Sequence, residues 1–407
     1  MCKERRPMTT DAVKGGIPSR LSRRAFLARS SQAALLAIAG CSQDRRASDR
    51  SAEAPAYIPA LEERIRAAME DTHVPGLSIA VIQRGEMMWG RAFGVRDGSS
   101  GMPVADDTIF EAASMSKPVF AYAVMKLVEK GVLDLDRPLT EYVSARFVAD
   151  DPRLDLITAR QVLCHTSGFQ DIRSGANPLR IHFAPGEKWQ YSGEGYAYLQ
   201  SVVTALTGQV DQDDCGTYEA DLKVCGTDFD AYMKANLLEP FGMDLSTYVG
   251  EEDLPRHVAR PHDDQGAPLT PRNYTAPGAA RYGSMGGLLT TATDYAKFLI
   301  EIVEPKPADA FRLTQASLGE MLRPQVKVED GTGYEIWWAL GWKIAQTEEF
   351  GELVSHGGDQ TGFHCIAEVS PQRKSGYVVL TNGDSGWKLI QELAPSISKL
   401  VHLGSAG

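Results

Sequence analysis

The chain has 407 residues, with 42 Lys and Arg against 53 Asp and Glu, and a formal net charge of −11. Residues 1–40 carry eight of the basic and two of the acidic residues, so the remainder of the chain has a formal charge of −17. A surface this acidic argues against nucleic acid as a partner. The length suits a single large fold or two packed lobes.

The first forty residues predict an export signal. Ser22–Leu27 matches the twin-arginine pattern, an apolar run follows at Ala33–Ala39, and Ile38–Cys41 resembles a lipoprotein processing box. We therefore expect residues 1–40 to be removed, Cys41 to carry lipid, and residues 41–56 to form a flexible tether. The protein would then lie in the periplasm or cell envelope and touch the membrane only through that anchor. The alternatives are a cytosolic protein with a basic tail or an uncleaved anchor, but the apolar run is too short to span a bilayer.

From residue 57 to 407 the pattern predicts one α+β domain. An amphipathic helix is expected over Leu61–Met69, followed by a hairpin that turns at Arg84-Gly85. Similar apolar strands and a last helix recur near the C-terminus. The predicted strands are Leu77–Ile82, Met87–Phe93, Leu353–Ser355, Phe363–Val369 and Gly376–Thr381, and the last helix is Trp387–Val401.

Helical patterns dominate between about residues 105 and 300. The simplest assembly is an antiparallel sheet built from both ends of the chain, flanked by the terminal helices, with this helical lobe inserted. Such an arrangement leaves a cleft between the sheet and the lobe. A polar, acidic segment at residues 211–230 is expected to form an inserted surface loop.

The cysteines divide by their surroundings. Cys164 and Cys365 lie in apolar sequence and are expected in the core. Cys215 and Cys225 bracket the acidic loop, where an oxidising compartment would permit a disulfide, although sequence does not show that the two thiols meet.

The run Ser114-Met115-Ser116-Lys117 carries the main chemical signal. Residues three apart on a helix are neighbours, so Lys117 can reach the Ser114 hydroxyl. A desolvated lysine with a lowered pKa can take a proton from serine and so activate it as a nucleophile. The pattern favours acyl transfer through a serine ester.

Two other Ser-x-x-Lys runs begin at Ser385 and Ser396, but they have less suitable settings. Only the run at Ser114 follows an apolar segment and precedes a predicted helix. The apolar face of that helix would consist of Phe120, Val124, Leu127 and Val128, and Gly131 would end the helix. An ordinary helix start with a capping serine is the alternative.

Several segments beyond this run resemble the serine β-lactamase and penicillin-binding-protein superfamily, and within it the class C β-lactamase-related group, which includes esterases and D-amino-acid peptidases. The resemblance covers nearly the whole chain after residue 61 and implies the β-lactamase/transpeptidase-like fold. The matching segments are Leu163–Gly168, Pro185–Ser192, Leu238–Met243, Gly286–Leu288 with Thr291 and Asp294, and Leu340–Trp342.

The resemblance implies that Ser114 is the acylated nucleophile, Lys117 its proton acceptor and Tyr191 a second acid/base. Which of Lys117 and Tyr191 deprotonates the serine stays open, because close groups titrate together. The third motif of the group corresponds to His356-Gly357-Gly358, on a strand that lines the cleft. The backbone amides of Ser114 and Asp359 would form the oxyanion hole.

One departure from the family pattern concerns the substrate. The usual Tyr-x-Asn motif is Tyr191-Ser192-Gly193 here, so the amide side chain that would contact the lysine and the substrate is missing. Ester substrates need that amide less, because an alkoxide leaves more readily than an amine. The sequence therefore favours an esterase-like hydrolase, with a β-lactamase or D-amino-acid peptidase, or a non-catalytic penicillin or peptidoglycan sensor, as alternatives.

The expected partner is a small-molecule ester, amide or cell-wall-derived substrate, with no cofactor, and the oligomeric state stays open. No metal-binding motif is present, and His165 is expected to hold a turn. Trp337, Trp338 and Trp342 are expected in the core or in the cleft wall.

Overall fold

The computed structural model of the protein describes residues 57–143, 146–148, 150–173, 179–208, 216–217, 223–224, 226–250, 254–274 and 282–404. Residues 57–404 belong to one compact unit. The described helices are α1 (Ile58–Thr72), α2 (Ser116–Glu129), α3 (Ala159–Leu163), α4 (Gly193–Thr207), α5 (Gly226–Met233), α6 (Ala292–Val303), α7 (Gln315–Leu322) and α8 (Gly386–Ser398).

The described strands fall in one large sheet and two short ribbons. They are β1 (Gly76–Gln83), β2 (Glu86–Asp97), β3 (Met102–Pro103), β4 (Phe110–Glu111), β5 (Gly216–Thr217), β6 (Lys223–Val224), β7 (Leu289–Thr290), β8 (Val326–Gly331), β9 (Tyr334–Trp338), β10 (Lys343–Thr347), β11 (Gly351–Gln360), β12 (Phe363–Ser370) and β13 (Ser375–Thr381).

The large sheet has nine antiparallel strands in the order β3-β2-β1-β13-β12-β11-β10-β9-β8. The two ends of the chain meet at its centre, where Leu77 on β1 pairs with Thr381 on β13. The predicted hairpin is present, with Arg84 and Gly85 at positive φ in its turn. The prediction of an α+β fold with an antiparallel sheet built from both ends is therefore confirmed.

Alternation of side chains along β1 divides the core between the two faces of the sheet. Leu77, Ile79 and Val81 pack with α1 and α8. Ala80 and Ile82 face the larger cluster, which contains α2, α4 and α6. Both faces are covered, so β1 is almost entirely buried, as a central strand should be.

Helix α2, which follows Ser114, differs from its prediction. The sequence pattern indicated one apolar face, whereas every residue from Ser116 to Leu127 is buried. The helix lies between the sheet and the other helices, and a helix covered on all sides does not need a polar face. Gly131 follows the helix at a positive φ of 67°, as predicted for a residue that ends a helix.

Strands β8, β9 and β10 were not predicted. They form the edge of the sheet beyond β11, and most of their residues are only half-buried or exposed. These short strands lack the long apolar run that identified the central strands. The predicted sheet was therefore too narrow on this side.

Cys164 and Cys365 are buried free thiols, as predicted. Cys41, Cys215 and Cys225 lie outside the described residues, and so do the proposed signal and tether. Within the 211–230 loop, β5 and β6 pair antiparallel with Gly216 opposite Val224. A disulfide between the two loop cysteines stays a prediction. No described helix has the length and apolar character needed to cross a membrane.

Candidate active site

Ser114 lies in a single 3-10 turn, Ala113–Met115, which runs directly into α2. Ala113 has a positive φ of 44°, a conformation that a non-glycine residue holds only when its surroundings enforce it. The Ser116 hydroxyl supplies one constraint, because it donates to the Ala113 carbonyl at 2.7 Å and accepts from the Leu288 amide at 2.9 Å. The turn is thereby fixed to the segment that precedes β7.

Lys117 points back along the helix to the Ser114 hydroxyl. Its Nζ lies 3.0 Å from Ser114 Oγ and 2.6 Å from the carbonyl oxygen of Met285. The residue is 1% exposed, and burial lowers its pKa from 10.5 to about 7, although the nearby carboxylate of Asp171 opposes the shift. A substantial fraction of Lys117 is therefore neutral near pH 7 and able to accept a proton.

Tyr191 completes a group of three polar side chains. Its phenol is hydrogen-bonded to Ser114, and the Lys117 ammonium lies 4.8 Å from the centre of its ring. Burial raises the pKa of Tyr191 above its usual value, and the hydrogen bond to Ser114 only partly offsets this. The phenol thus keeps its proton at neutral pH and can donate it to a departing group.

His165 holds Tyr191 in place. The two rings lie 4.2 Å apart, and the Ser192 amide donates to His165 Nδ1 at 3.0 Å. Burial and the charge of Lys117 keep the pKa of His165 well below its usual value, so the ring is neutral. The expected structural role for His165 agrees with these contacts.

The strand β11 forms the opposite wall. Its pairing with β10 stops at Ser355, whereas its pairing with β12 continues to Gln360, so one edge of the strand beyond Ser355 is open. The Ala113–Met115 turn packs beside this part of β11. His356, Gly357, Gly358 and Asp359 all lie in this open stretch, as the predicted cleft strand requires.

His356 is neutral and has a defined tautomer. Its Nδ1 lies 2.7 Å from the Gly357 carbonyl, so Nδ1 carries the proton and Nε2 is the acceptor. Burial, followed by the charge of Lys117, lowers the pKa of His356 to about 3. Nε2 has no hydrogen-bond partner among the described residues. Trp338, 5.6 Å from His356 and 5.7 Å from Tyr191 between ring centres, closes this side, while Trp342 is fully buried.

The two glycines of β11 allow close packing against the strand. A Cβ at Gly358 would overlap the Ala112 carbonyl and the Cys365 sulfur, and a Cβ at Gly357 would lie 2.6 Å from the Trp387 ring. Cys365 itself donates to the Ala112 carbonyl at 3.1 Å. The strand can lie this close to the Ser114 turn only because Gly358 lacks a side chain, whereas Gly357 makes room for Trp387 of α8.

Gly193 begins α4, and the space of a side chain at this position is already occupied. A Cβ there would lie 2.7 Å from the Met285 methyl group and 3.4 Å from Asp171 Oδ1. Asp171 Oδ1 also accepts from the Gly193 amide at 3.0 Å. A side chain at this position would therefore meet the flexible end of Met285 and the Asp171 backbone carbonyl, which lies 3.1 Å from the same Cβ.

Three contributors to the site were not found in the sequence. No sequence spacing links these groups to Ser114; they are the Met285 carbonyl, the Asp171 carboxylate and the buried carboxylate of Glu111. Glu111, three residues before the serine, accepts from the Tyr274 hydroxyl at 2.7 Å and from Gln360, which follows Asp359. Among the described residues, no group of three or more His, Cys, Asp or Glu side chains could hold a metal ion.

The lowered pKa of Lys117 predicts the pH dependence of any reaction that uses it as a base. The neutral amine must be present, so kcat/KM should fall about tenfold per pH unit below an apparent pKa of about 7 and level off above it. His356, with a pKa of about 3, should add no inflection above about pH 5. Ester hydrolysis followed from about pH 5 to about pH 9 would measure this. A His356→Gln variant should keep the inflection, and a flat wild-type profile would contradict the assignment.

Comparisons with known proteins identify the family and the fold. The Beta-lactamase family model matches residues 61–399. Penicillin-binding protein 4 of Amycolatopsis lactamdurans is 27% identical over 349 residues, which cover 79% of this chain and 84% of the relative. Esterase EstB of Burkholderia gladioli is 28% identical over 336 residues, with coverage of 67% and 78%. A solved class C beta-lactamase has a TM-score of 0.66 at 18% identity, with coverage of 83% and 95%, and shows the same fold.

Proposed function

Because the chain belongs to the beta-lactamase family, we propose that it is an exported serine hydrolase that cleaves esters through an acyl-enzyme on Ser114. The observation that carries the proposal is the buried Lys117 amine, with its pKa of about 7, at 3.0 Å from the Ser114 hydroxyl. This is the arrangement that an activated nucleophile needs.

The proposed reaction begins when Lys117 Nζ takes the hydroxyl proton and Ser114 Oγ attacks the acyl carbonyl. The oxyanion is stabilised by the backbone amides of Ser114 and Asp359. The leaving alkoxide receives a proton from the group formed by Lys117 and Tyr191. A water molecule then attacks the ester on Ser114, with the same groups acting in reverse, and releases the acid.

The preference for esters rests on Gly193. The side chain that would support an amide substrate is absent, and the Met285 methyl group lies 2.7 Å from the position of its Cβ. One relative is named an esterase, which supports the same substrate class. Export and lipidation at Cys41 rest on the N-terminal sequence alone.

A cell-wall D-amino-acid peptidase or β-lactamase is the second candidate. It is favoured by the relative named penicillin-binding protein 4. The asparagine is missing in this chain, so we expect slower turnover of amides than of esters. A protein that binds penicillin or peptidoglycan without turnover is the third possibility.

One set of probes separates these functions. The protein is treated with a fluorophosphonate, a fluorescent penicillin and short-chain p-nitrophenyl esters, and compared with Ser114→Ala. We expect ester turnover and fluorophosphonate labelling to disappear in Ser114→Ala, a loss of at least about 10⁴-fold in kcat/KM. Ser396→Ala is the matched control, because it changes another Ser-x-x-Lys serine, on α8.

Stable penicillin labelling without ester turnover would favour the cell-wall function. Absence of labelling by all three probes would favour the non-catalytic protein. Turnover that survives in Ser114→Ala would rule out the proposed nucleophile.

The site also predicts how amide turnover could be raised. Gly193→Asn alone should have a limited effect, because the new Cβ must displace the Met285 methyl group at the flexible end of its side chain. Gly193→Asn combined with Met285→Ala removes that obstacle and keeps the Met285 carbonyl position that Lys117 contacts. We expect the ratio of amide to ester kcat/KM to rise about tenfold in the double variant, as for one added hydrogen bond of about 1.4 kcal/mol.

The control for this prediction is Met285→Ala alone, which should leave the ratio unchanged. Parallel assays of p-nitrophenyl acetate and the matching p-nitroanilide give the ratio. A double variant with the wild-type ratio would mean that the missing amide does not determine the preference.

A further inference from the structure

A cavity of about 530 Å³ lies outside the group formed by Ser114, Lys117 and Tyr191. It is bounded by the end of β2, by β3, and by two parts of the 254–274 segment. This volume is within the range of small-molecule sites in proteins. Its lining is distinguished by four arginines, Arg96, Arg256, Arg260 and Arg272.

The positive charge of this lining is only partly compensated. Arg260 lies 3.9 Å from Asp97, and Arg272 lies 3.1 Å from Glu111. Arg96 and Arg256 have no carboxylate within 4.0 Å among the described residues. Within the described part of the chain, two guanidinium groups of this cavity therefore lack an acidic partner, and one of them, Arg96, donates to the Met102 sulfur instead.

The cavity is also a built site. Arg260 is fixed by bonds to the Leu269 carbonyl at 2.9 Å and to the Ser99 hydroxyl at 3.1 Å. The buried residues Val258 and Tyr274 supply an apolar wall, and the Arg272 guanidinium lies 5.4 Å from the centre of the Tyr274 ring. A fixed cation beside an apolar wall suits an organic anion better than a bare inorganic ion.

We propose that this cavity binds a small organic anion that carries carboxylate or phosphate groups. Guanidinium groups bind both kinds of oxyanion through paired N–H donors, which gives them orientation as well as charge. Arg256 and the N–H groups of Arg96 that do not donate to the Met102 sulfur would supply the donors, and Arg260 the fixed cation.

The anionic group has two conceivable sources, a free metabolite or a charged part of the hydrolase's own substrate. The second is possible because Arg272 shares the Glu111 carboxylate with Gln360, the residue after Asp359. The cavity and the open stretch of β11 are thus connected through one side chain. Two experimental arms distinguish the sources.

The first arm measures binding and does not depend on catalysis. Citrate and inorganic phosphate are titrated into the full-length protein by calorimetry, and thermal unfolding is followed with sodium chloride at equal ionic strength as the reference. We expect citrate to bind and to raise Tm above the chloride reference. Arg256→Ala and Arg96→Ala should each weaken citrate binding at least tenfold.

Arg64→Ala is the matched control, because Arg64 is an exposed arginine on α1. It should leave citrate binding unchanged. Arg256→Glu is a second variant at an exposed position. It should abolish citrate binding, and its thermal unfolding followed by circular dichroism should match that of the wild type.

The second arm rests on the proposed esterase function and compares p-nitrophenyl hydrogen glutarate with p-nitrophenyl valerate. If Arg256→Ala raises KM at least tenfold for the glutarate ester but not for the valerate ester, the anion is part of the substrate. Equal KM changes for both esters, with citrate binding intact in the wild type, identify a free ligand.

Wild-type protein that binds neither citrate nor phosphate beyond the chloride reference overturns the proposal. So does citrate binding that is unaffected by Arg96→Ala and Arg256→Glu. Failure of ester hydrolysis with intact citrate binding counts against the proposed function and leaves the anion site standing.

Discussion

Replacement of Lys117 by methionine is expected to lower kcat/KM for ester hydrolysis by about 10³- to 10⁴-fold, the usual contribution of a general base that also activates a nucleophile. The same change should make the protein more stable. Burial lowers the pKa of Lys117 to about 7, so folding at neutral pH removes a proton that the unfolded chain retains. Methionine has a similar shape and does not incur this cost.

The sign of the stability change depends on pH. A lysine whose folded pKa is lowered destabilises the fold fully below about pH 7, and the cost fades as pH rises toward the unfolded value of 10.5. We therefore expect Lys117→Met to raise the free energy of unfolding by about 1–3 kcal/mol at pH 6, after allowance for the lost bond to the Met285 carbonyl. The gain should shrink by pH 10.

Denaturant unfolding at both pH values, together with ester kinetics, measures this prediction. Lys130→Met is the control, since Lys130 is exposed at the end of the same helix. It should change neither activity nor stability by much. A Lys117→Met protein that unfolds or stays fully active would argue against a buried catalytic base.

Gly358→Ala is expected to damage the site through backbone geometry alone. The added methyl group would overlap the Ala112 carbonyl and the Cys365 sulfur, so β11 must move away from the Ser114 turn. Such overpacking costs about 2–3 kcal/mol of unfolding free energy. Displacement of the amides proposed to form the oxyanion hole should reduce kcat/KM about 100-fold, because small misplacements in an active site have effects of this size.

The matched control is Gly319→Ala, on the exposed side of α7, where a Cβ meets nothing within 4 Å. It should stabilise the protein by about 0.5–1 kcal/mol because alanine favours helix over glycine. Thermal unfolding and ester assays compare the two. Removal of the sulfur in Gly358→Ala/Cys365→Ala should not restore activity, since the backbone carbonyl of Ala112 still blocks the methyl group. Full restoration would locate the obstacle at the sulfur instead.

The central features of the fold were predictable because they depend on local patterns. The apolar runs of β1, β12 and β13 identify central strands, and the spacing of Ser114 and Lys117 brings their side chains together on one helical turn. The segment Pro185–Ser192, which contains Tyr191, was identified only through resemblance to a family, since no spacing rule relates Tyr191 to Ser114. Strands β8–β10 were missed because they are short, with five or six residues each, and mostly half-buried, so none contains a long apolar run.

The electrostatic surroundings of the site were beyond sequence reasoning. The lowered pKa of Lys117 depends on burial by elements distant in the chain, and its second hydrogen bond goes to a backbone carbonyl, that of Met285. Backbone groups have no sequence signature. Asp171 is six residues beyond His165, and only the fold brings its carboxylate beside Gly193.

The occupied space beside Gly193 limits the evolutionary routes open to this protein. Asparagine introduced there first would meet the Met285 methyl group, while loss of that methyl group first would open a void with no benefit. A change to asparagine at Gly193 is therefore easiest when Met285 becomes smaller or swings its methyl group aside. Positions 193 and 285 are thus expected to change together in any selection for amide or β-lactam turnover.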